Sequence, residues 1–571
     1  MLLIPQVPSA AAILWAALRF GLLAAVLVEL ILILDPVTRW KLRHIPGPFA
    51  LPLLGCVPDI LRQGAHAFFL QCRKKYGPVF KARTALALGR SWVVVVADTE
   101  LMRQVGFKLR NHEMTEPSLM RGVFKEVEEA SLFRAADDFW RLVRSAWQPA
   151  FASTSLAGYL PRMTACAEQL ADRMEDRARD ADGGGDGGGR VNMWRELGGM
   201  TLQVVGSTAY GYSRLALLLP ELRPLWSVLA HALPDEPFTR MLQARTTLLT
   251  ACLELIRGWK DRAERGSDRK ARRGAAEAVA AAVVNGDDPT RVVPTDGSRG
   301  GPDGAIAAAP ASPSAAAADV AAAEASAPAQ ANGGDAPAKP HAVEAGSFLG
   351  LMLSARDKAT GQGLSDPQLV AQVQIFILAG YETTANALAF AVHCLATHPE
   401  AEARLIAEVD SVLGPDRRLP TAADLPRLVY TEAVFNEAMR LYPPAHAMTR
   451  RVGGCKVPPG VPLVLAIYAG HHDPRVWPRP EEFIPERFLP DSPLHPEVAA
   501  RVPNAHTPFG WGSRMCIGWK FALQEAKIAL ATLYRRLRFE LEPGQVPLPL
   551  RPSSLTMAPR DGVWVRPVMR C

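Results

Sequence analysis

The run from Ser365 to His398 constrains the fold more than any other part of the chain. Ser365 and Gln368 are spaced as a capping box, and Pro367 sits just inside the start. Pro399 closes the run at its far end. Between them lies a helix of about 32 residues, about 48 Å long. Val373, Ile375, Phe376, Ile377 and Leu378 leave it apolar nearly all round rather than along one stripe. A helix with no polar side has nothing to offer water, so it must be central, with other elements built around it. A second helix carries Thr431 to Leu441 and ends at Pro443-Pro444. A last long one starts after Cys516 and reaches about Leu537. Val79-Phe80-Lys81 and Trp92 to Val96 read as strands bounded by turn residues. The fold class is mainly α with small β-sheets.

The material for such a body is present. Of 571 residues, 49% are hydrophobic and 21% charged, which excludes a fibrous or wholly disordered chain. Lys and Arg number 64 against 57 Asp and Glu, a net charge of +7. No basic stripe with interleaved aromatics appears, so no nucleic-acid partner is expected. The small excess suits a membrane surface or an acidic partner. The eight cysteines are scattered, without the spacing of a zinc ribbon, redox pair or iron–sulfur run, and fit a reduced compartment.

Residues 1–37 read as a membrane anchor. Ala10 to Leu34 is apolar except for Arg19 and Glu29. As a helix it is about 37 Å long, against a bilayer core of about 30 Å. Arg39, Lys41 and Arg43 follow at once, which places the N-terminus in the lumen and the body in the cytoplasm, single-pass. Ile45-Pro46-Gly47-Pro48 then forms a stiff hinge. Residues 38–571 form one domain, interrupted at about 262–345 by an Ala-, Pro- and Gly-rich insert. That insert lacks the branched and aromatic residues needed for a core and reads as disordered. Gly183, Gly185 and Gly188 match G-x-G-x-x-G, but no strand precedes them, so no nucleotide site is expected.

The chemistry concentrates in Pro508 to Gly518. A lone cysteine is usually a small buried hydrophobe. Around Cys516, however, Gly512 and Gly518 remove Cβ atoms and let backbone approach a flat ligand. The helix that follows favours a thiolate at its N-terminus. Arg514 brings a cation suited to a carboxylate of the same ligand. Thiolate, flat platform and carboxylate-binding Arg together describe a haem site with an axial Cys.

This segment resembles the cysteine-loop signature of the cytochromes P450, F-x-x-G-x-R-x-C-x-G, with Phe509, Gly512, Arg514, Cys516 and Gly518 filling every fixed position. Three further motifs of that family follow its order. Ala379-Gly380-Tyr381-Glu382-Thr383-Thr384 is similar to the [AG]-G-x-[DE]-T-[TS] segment of its central helix. Glu437 and Arg440 match E-x-x-R, and Pro485-Glu486-Arg487-Phe488 matches P-E-R-F. Trp140 and Arg144 match an early W-x-x-x-R. The resemblance covers about Arg43 to the C-terminus, outside the insert. Gln104 to Lys108, Gln148 to Phe151 and Val546 to Leu550 further resemble the clan holding the plant carlactone oxidases and animal thromboxane synthase.

The resemblance implies the haem-thiolate fold behind one transmembrane helix, haem b (iron protoporphyrin IX) as cofactor, and Cys516 as the ligand to iron. It implies Trp140, Arg144 and Arg451 (with Arg450 the alternative) beside the propionates, and Phe509, Gly512, Arg514 and Gly518 in the haem loop. Glu437, Arg440 and Arg487 become a supporting network, while Thr383 with Glu382 manages proton delivery. His471-His472 could ligate iron, but a haem-thiolate centre already has its Cys. The activity implied is insertion of oxygen from O2 into an apolar small molecule at the endoplasmic reticulum membrane, a plastid membrane being the alternative. No flavin-type segment follows Cys516, so electrons are expected from NADPH–cytochrome P450 reductase. A peroxide-rearranging isomerase and a non-catalytic haem protein are the other readings.

Overall fold

The computed structural model describes residues 36–51, 55–84, 92–108, 126–182, 189–205, 361–450, 461–494, 505–552 and 556–570, less 128, 416 and 417, with 352, 356 and 457 added. Nearly all of the expected anchor, the whole insert and Arg451 lie outside these residues. The chain divides into two units, Met1–Glu254 with Glu344–Cys571, and Leu255–Val343. The second falls entirely outside the described residues, so every element below belongs to the first.

In chain order the helices are α1 (Pro36–Lys41), α2 (Val57–Gln63), α3 (Ala65–Tyr76), α4 (Thr99–Lys108), α5 (Asp137–Trp147), α6 (Ser153–Asp182), α7 (Met193–Val205), α8 (Asp366–Ala396), α9 (Pro399–Leu413), α10 (Val429–Leu441), α11 (Ile467–His471) and α12 (Trp519–Arg536). The strands are β1 (Val79–Arg83), β2 (Trp92–Val96), β3 (Val191–Asn192), β4 (Met448–Arg450), β5 (Leu463–Leu465), β6 (Leu537–Leu541) and β7 (Trp564–Met569).

Helix α8 is the axis of the body. Its capping box forms: Ser365 N–H donates to Gln368 Oε1 at 2.9 Å, and Gln368 N–H to Ser365 Oγ at 3.4 Å. From Thr384 to Leu395 every residue is buried, as its all-round apolar pattern requires. Among the described residues α8 is the one helix long and apolar enough to cross a membrane, but that burial makes it a core helix. The anchor expected at 1–37 is a different segment. Pro399 both stops α8 and opens α9, where a proline in the first turn forfeits no bond. Helix α7 lies along α8, with Gly198 facing the Tyr381 ring.

One sheet has the order β1-β2-β5-β4, with β2 and β5 parallel, and a smaller one has β3-β7-β6. All five residues of β2 are buried. Val93 and Val95 join Phe68 and Phe69 of α3 on one face, while Trp92, Val94 and Val96 join Met102 of α4 and Trp511 on the other. A continuous run of valines is what a strand with two covered faces needs. The second face therefore carries the loop that leads to Cys516.

Candidate active site

The cysteine loop is built on two glycines with left-handed backbone, Gly510 at φ 75° and Gly512 at φ 66°. A Cβ on Gly512 would fall 2.4 Å from Gly106 O of α4, and one on Gly106 would fall 3.1 Å from Trp511 Cβ. Loop and helix thus meet backbone to backbone. Gly106 entered the sequence reading only within the Gln104 to Lys108 resemblance, without this packing role; a glycine inside a helix, where it is unfavourable by about 1 kcal/mol against Ala, was the available signal. The turn closes with Cys516 N–H donating to Phe509 O at 2.9 Å and Met515 N–H to Gly512 O at 3.1 Å. Gly518 is the residue before α12, 3.4 Å from Phe151 at its missing Cβ.

Cys516 is exposed rather than packed against other side chains, yet it lies deep among protein atoms. Both hold if its thiol faces an internal cavity. Burial raises its pKa, opposed by the Gly518 backbone N–H and the nearby Arg144 guanidinium. Arg144 donates to Met515 O at 2.8 Å, so the cation is fixed one residue from the thiol. Burial lowers the Arg144 pKa, and the charge of Cys516 opposes that.

Arg514 is buried and donates to Ala135 O at 2.8 Å and Leu132 O at 3.5 Å. Its guanidinium lies 4.3 Å over the Trp140 ring. Those two bonds fasten the cysteine loop to residues 132–135, and the guanidinium has five donors in all. Gln372 of α8 grips the same segment, donating to Ala130 O at 2.6 Å and accepting from Leu132 N–H at 3.0 Å. Through this segment the central helix and the cysteine loop are held in register.

Along α8, Thr383 Oγ1 donates to Ala379 O at 2.5 Å. The bond occupies a backbone carbonyl in mid-helix, the local arrangement that loosens or bends a helix. Ala379 is exposed, and Ile375, Ile377 and Leu378 are only half-buried, on the turns just before the fully buried stretch. The helix therefore presents apolar side chains to open space inside the protein. Glu382 accepts from Thr556 Oγ1 at 2.6 Å.

The supporting network is buried throughout: Glu437 and Arg440 are 0% exposed and Arg487 1%. Arg440 grips Glu437 with two bonds of 2.8 Å and donates to the carbonyls of His471, Pro480 and Glu482. Arg487 Nε donates to Glu437 Oε1 at 3.2 Å. His471 then links the network to the loop, because its Nε2 accepts from Thr507 N–H at 3.0 Å. Burial pushes the His471 pKa well below the usual range, leaving a neutral ring whose Nε2 can accept. Its structural bond is to Thr507, ahead of the cysteine loop.

A cavity-facing thiol, a loop whose glycines bring backbone close, a cation fixed beside the thiol and an apolar helix face left open all fit a large, flat, anionic group bound through sulfur. A family model described as "Cytochrome P450" matches residues 45–235 and 339–565. The chain belongs to the cytochrome P450 family. It is an oxidoreductase of monooxygenase type, and its cofactor is haem b. The chain is 28% identical to cytochrome P450 3A2 of Rattus norvegicus over 553 residues, covering 92% of this chain and 93% of that protein. It is 43% identical to cyclooctatin synthase of Streptomyces melanosporofaciens over 221 residues, 38% of this chain and 46% of that protein. Cyclooctat-9-en-7-ol 5-monooxygenase of the same organism is 42% identical over 205 residues, 35% and 43% of the two chains. The matched part thus spans under half of the two Streptomyces proteins and nearly all of the rat protein.

Proposed function

We propose that the protein inserts one atom of O2 into a C–H bond of an apolar small molecule, at the endoplasmic reticulum membrane. NADPH–cytochrome P450 reductase supplies the electrons. The balance is C–H plus O2, two electrons and two protons, giving C–OH and water. Bound haem supplies the iron at which dioxygen is reduced. Cys516 sulfur would be the protein ligand to that iron, and as a thiolate it would supply electron density to it. Arg144 and Arg514, with Arg451 and Trp140, hold the propionates. Phe509, Gly512 and Gly518 shape the platform. Ile375, Ile377 and Leu378 offer the substrate an apolar wall, and Thr383 with Glu382 delivers protons. Residues 1–37 anchor the enzyme.

The observation that supports oxygen insertion most directly is the Thr383 hydroxyl, bonded at 2.5 Å to the carbonyl of exposed Ala379. That arrangement keeps a proton-bearing group beside the exposed turn of the helix, where proton delivery would need one. The test reconstitutes the protein with haem, reductase and NADPH under 18O2. Cyclooctat-9-en-7-ol, the compound in the name of one relative, and lauric acid serve as substrates. One 18O atom in the product, formed only with NADPH, is expected from at least one of them. Product formed without NADPH supports an isomerase instead, and absence of product from both overturns the proposal for these two substrate classes.

A further inference from the structure

Glu382 is tied to a part of the chain 174 residues away. Its Oε1 accepts from Thr556 Oγ1 at 2.6 Å. Thr556 Oγ1 accepts from Asn386 Nδ2 at 3.4 Å, and the same amide nitrogen donates to Met557 O at 2.9 Å. Asn386 Oδ1 accepts from the Trp194 indole at 2.6 Å. Asn386 is 0% exposed, while Glu382, Thr556 and Trp194 are half-buried. Arg551, which is exposed, lies 4.7 Å over the Trp194 ring and brings the far end of the chain to the surface.

The direction of this chain is fixed by its first member. An indole N–H only donates, so the Asn386 atom facing it is the oxygen. The amide nitrogen is then the group that faces Thr556 and Met557. A hydroxyl carries one proton. With its oxygen accepting from Asn386, Thr556 gives that proton to Glu382. Every donor points the same way, and the series ends on an acceptor. The Glu382 oxygen facing Thr556 is thus held as an acceptor. Asn386 is one turn beyond Glu382 on α8, so both share a face of the helix.

Resting on the monooxygenase reading above, we propose that Thr556, Asn386 and Trp194 are positioning residues for proton delivery. They hold Glu382 as an oriented carboxylate next to Thr383. The carboxylate takes a proton from bulk water and passes it on through Thr383, and is regenerated each time. Two protons pass per turnover, matching the two electrons that NADPH supplies. When Glu382 is protonated, its pull on Thr556 weakens and the change runs back to the indole.

The first arm of the test needs no turnover. The ferrous CO-bound holoprotein, diamagnetic, is labelled with 15N at its Trp indoles, and the Trp194 signal is identified by its loss in Trp194→Phe. Its shift is expected to titrate with pH in the wild type, to stop titrating in Glu382→Gln and Thr556→Val, and to titrate again in Thr556→Ser. Titration in Thr556→Val like that of the wild type overturns the relay, as does a flat wild-type signal. The size of the CO band confirms that each variant is folded. The second arm uses reductase, NADPH and cyclooctat-9-en-7-ol. Thr556→Val should lower product per NADPH at least five-fold at unchanged KM, with Thr556→Ser within two-fold of wild type. Wild-type coupling in Thr556→Val, with Thr383→Ala uncoupled, overturns this proposal alone. Wild-type coupling in both overturns the proton-delivery reading with it.

Discussion

Cys516 is a thiol placed inside the protein without being packed. As the proposed ligand to iron, it is removable at little other cost to the protein. Cys516→Ala is expected to fold and to lose the red-shifted Soret band of the reduced CO complex. A retained band would show that another residue holds the iron. Glu525 is the opposite case. It is 1% exposed on α12, both its oxygens are buried without a hydrogen-bond partner, and burial raises its pKa well above the usual carboxylate range. The folded state holds it protonated, while the unfolded chain ionises above about pH 4.3. Its stabilising share is therefore complete below that value and is lost as pH rises toward the folded pKa. Between pH 7 and 8, above the range in which the buried histidines titrate, the urea midpoint of the wild type should fall, and Glu525→Gln should flatten that slope. At this scale the sequence showed the residues that fill motifs and hid what they touch. Cys516 stands out by its surroundings, and Glu437 and Arg440 only through the family motif they fill. The partners of Arg440 are backbone carbonyls of His471, Pro480 and Glu482, which carry no mark in a sequence. Thr556 was invisible for the same reason, because a hydroxyl 174 residues from Glu382 has no local pattern.

Elements meet the site through close backbone contacts and one buried charge cluster. Gly512 has a left-handed φ and would place a Cβ 2.4 Å from Gly106 O. Gly512→Ala therefore has to push α4 away from the loop. The expected result is a folded protein that releases haem faster, read by transfer to apomyoglobin. An unchanged rate would show that the loop has slack that the geometry denies. Arg440→Leu leaves Glu437 as a buried charge with only Arg487 and the Ile484 N–H for partners. Breaking a buried pair in this way is unfavourable by about 3–5 kcal/mol. The apoprotein should unfold at markedly lower urea, while haem loading fails along with the loop that His471 steadies. Long elements were legible because their pattern repeats over several turns: α8, α10 and α12 lie within two residues of the ends read from the sequence. Strands β4 and β5 have three residues each, too few for any period, and lie in a stretch that reads as loop. Strand β5 pairs with β2, far away in the sequence, and no local signal could supply that; β4 pairs in turn with β5.

On the scale of the molecule, buried imidazoles set the acid limit. Burial lowers His66 to about 4 and His446, His472 and His506 to about 3, and takes His471 well below the usual range. These rings are neutral when folded, whereas an unfolded His gains a proton near pH 6.5. Their contribution is complete above that value and is lost as pH falls from about 6.5 toward 4, on the order of 1–2 kcal/mol for each by pH 5. Stability should therefore drop steeply across that window, read by urea midpoints at fixed ionic strength. A flat profile there would mean that the rings are not enclosed as described.

The parts of the site come from opposite ends of the chain. Strand β2 pairs with β5 across some 370 positions, Arg144 reaches Met515 across 371, and Arg514 reaches Ala135 across 379. A ribosome making this protein releases the first half of the site long before the second exists. Helix α4 and the open edge of β2 must wait, because the loop and the strand that cover them are still unmade. Contacts so distant in sequence form slowly, and exposed apolar surface invites aggregation in the interval. Haem can be captured only once Cys516 and α12 have emerged, so cofactor loading is a post-translational event.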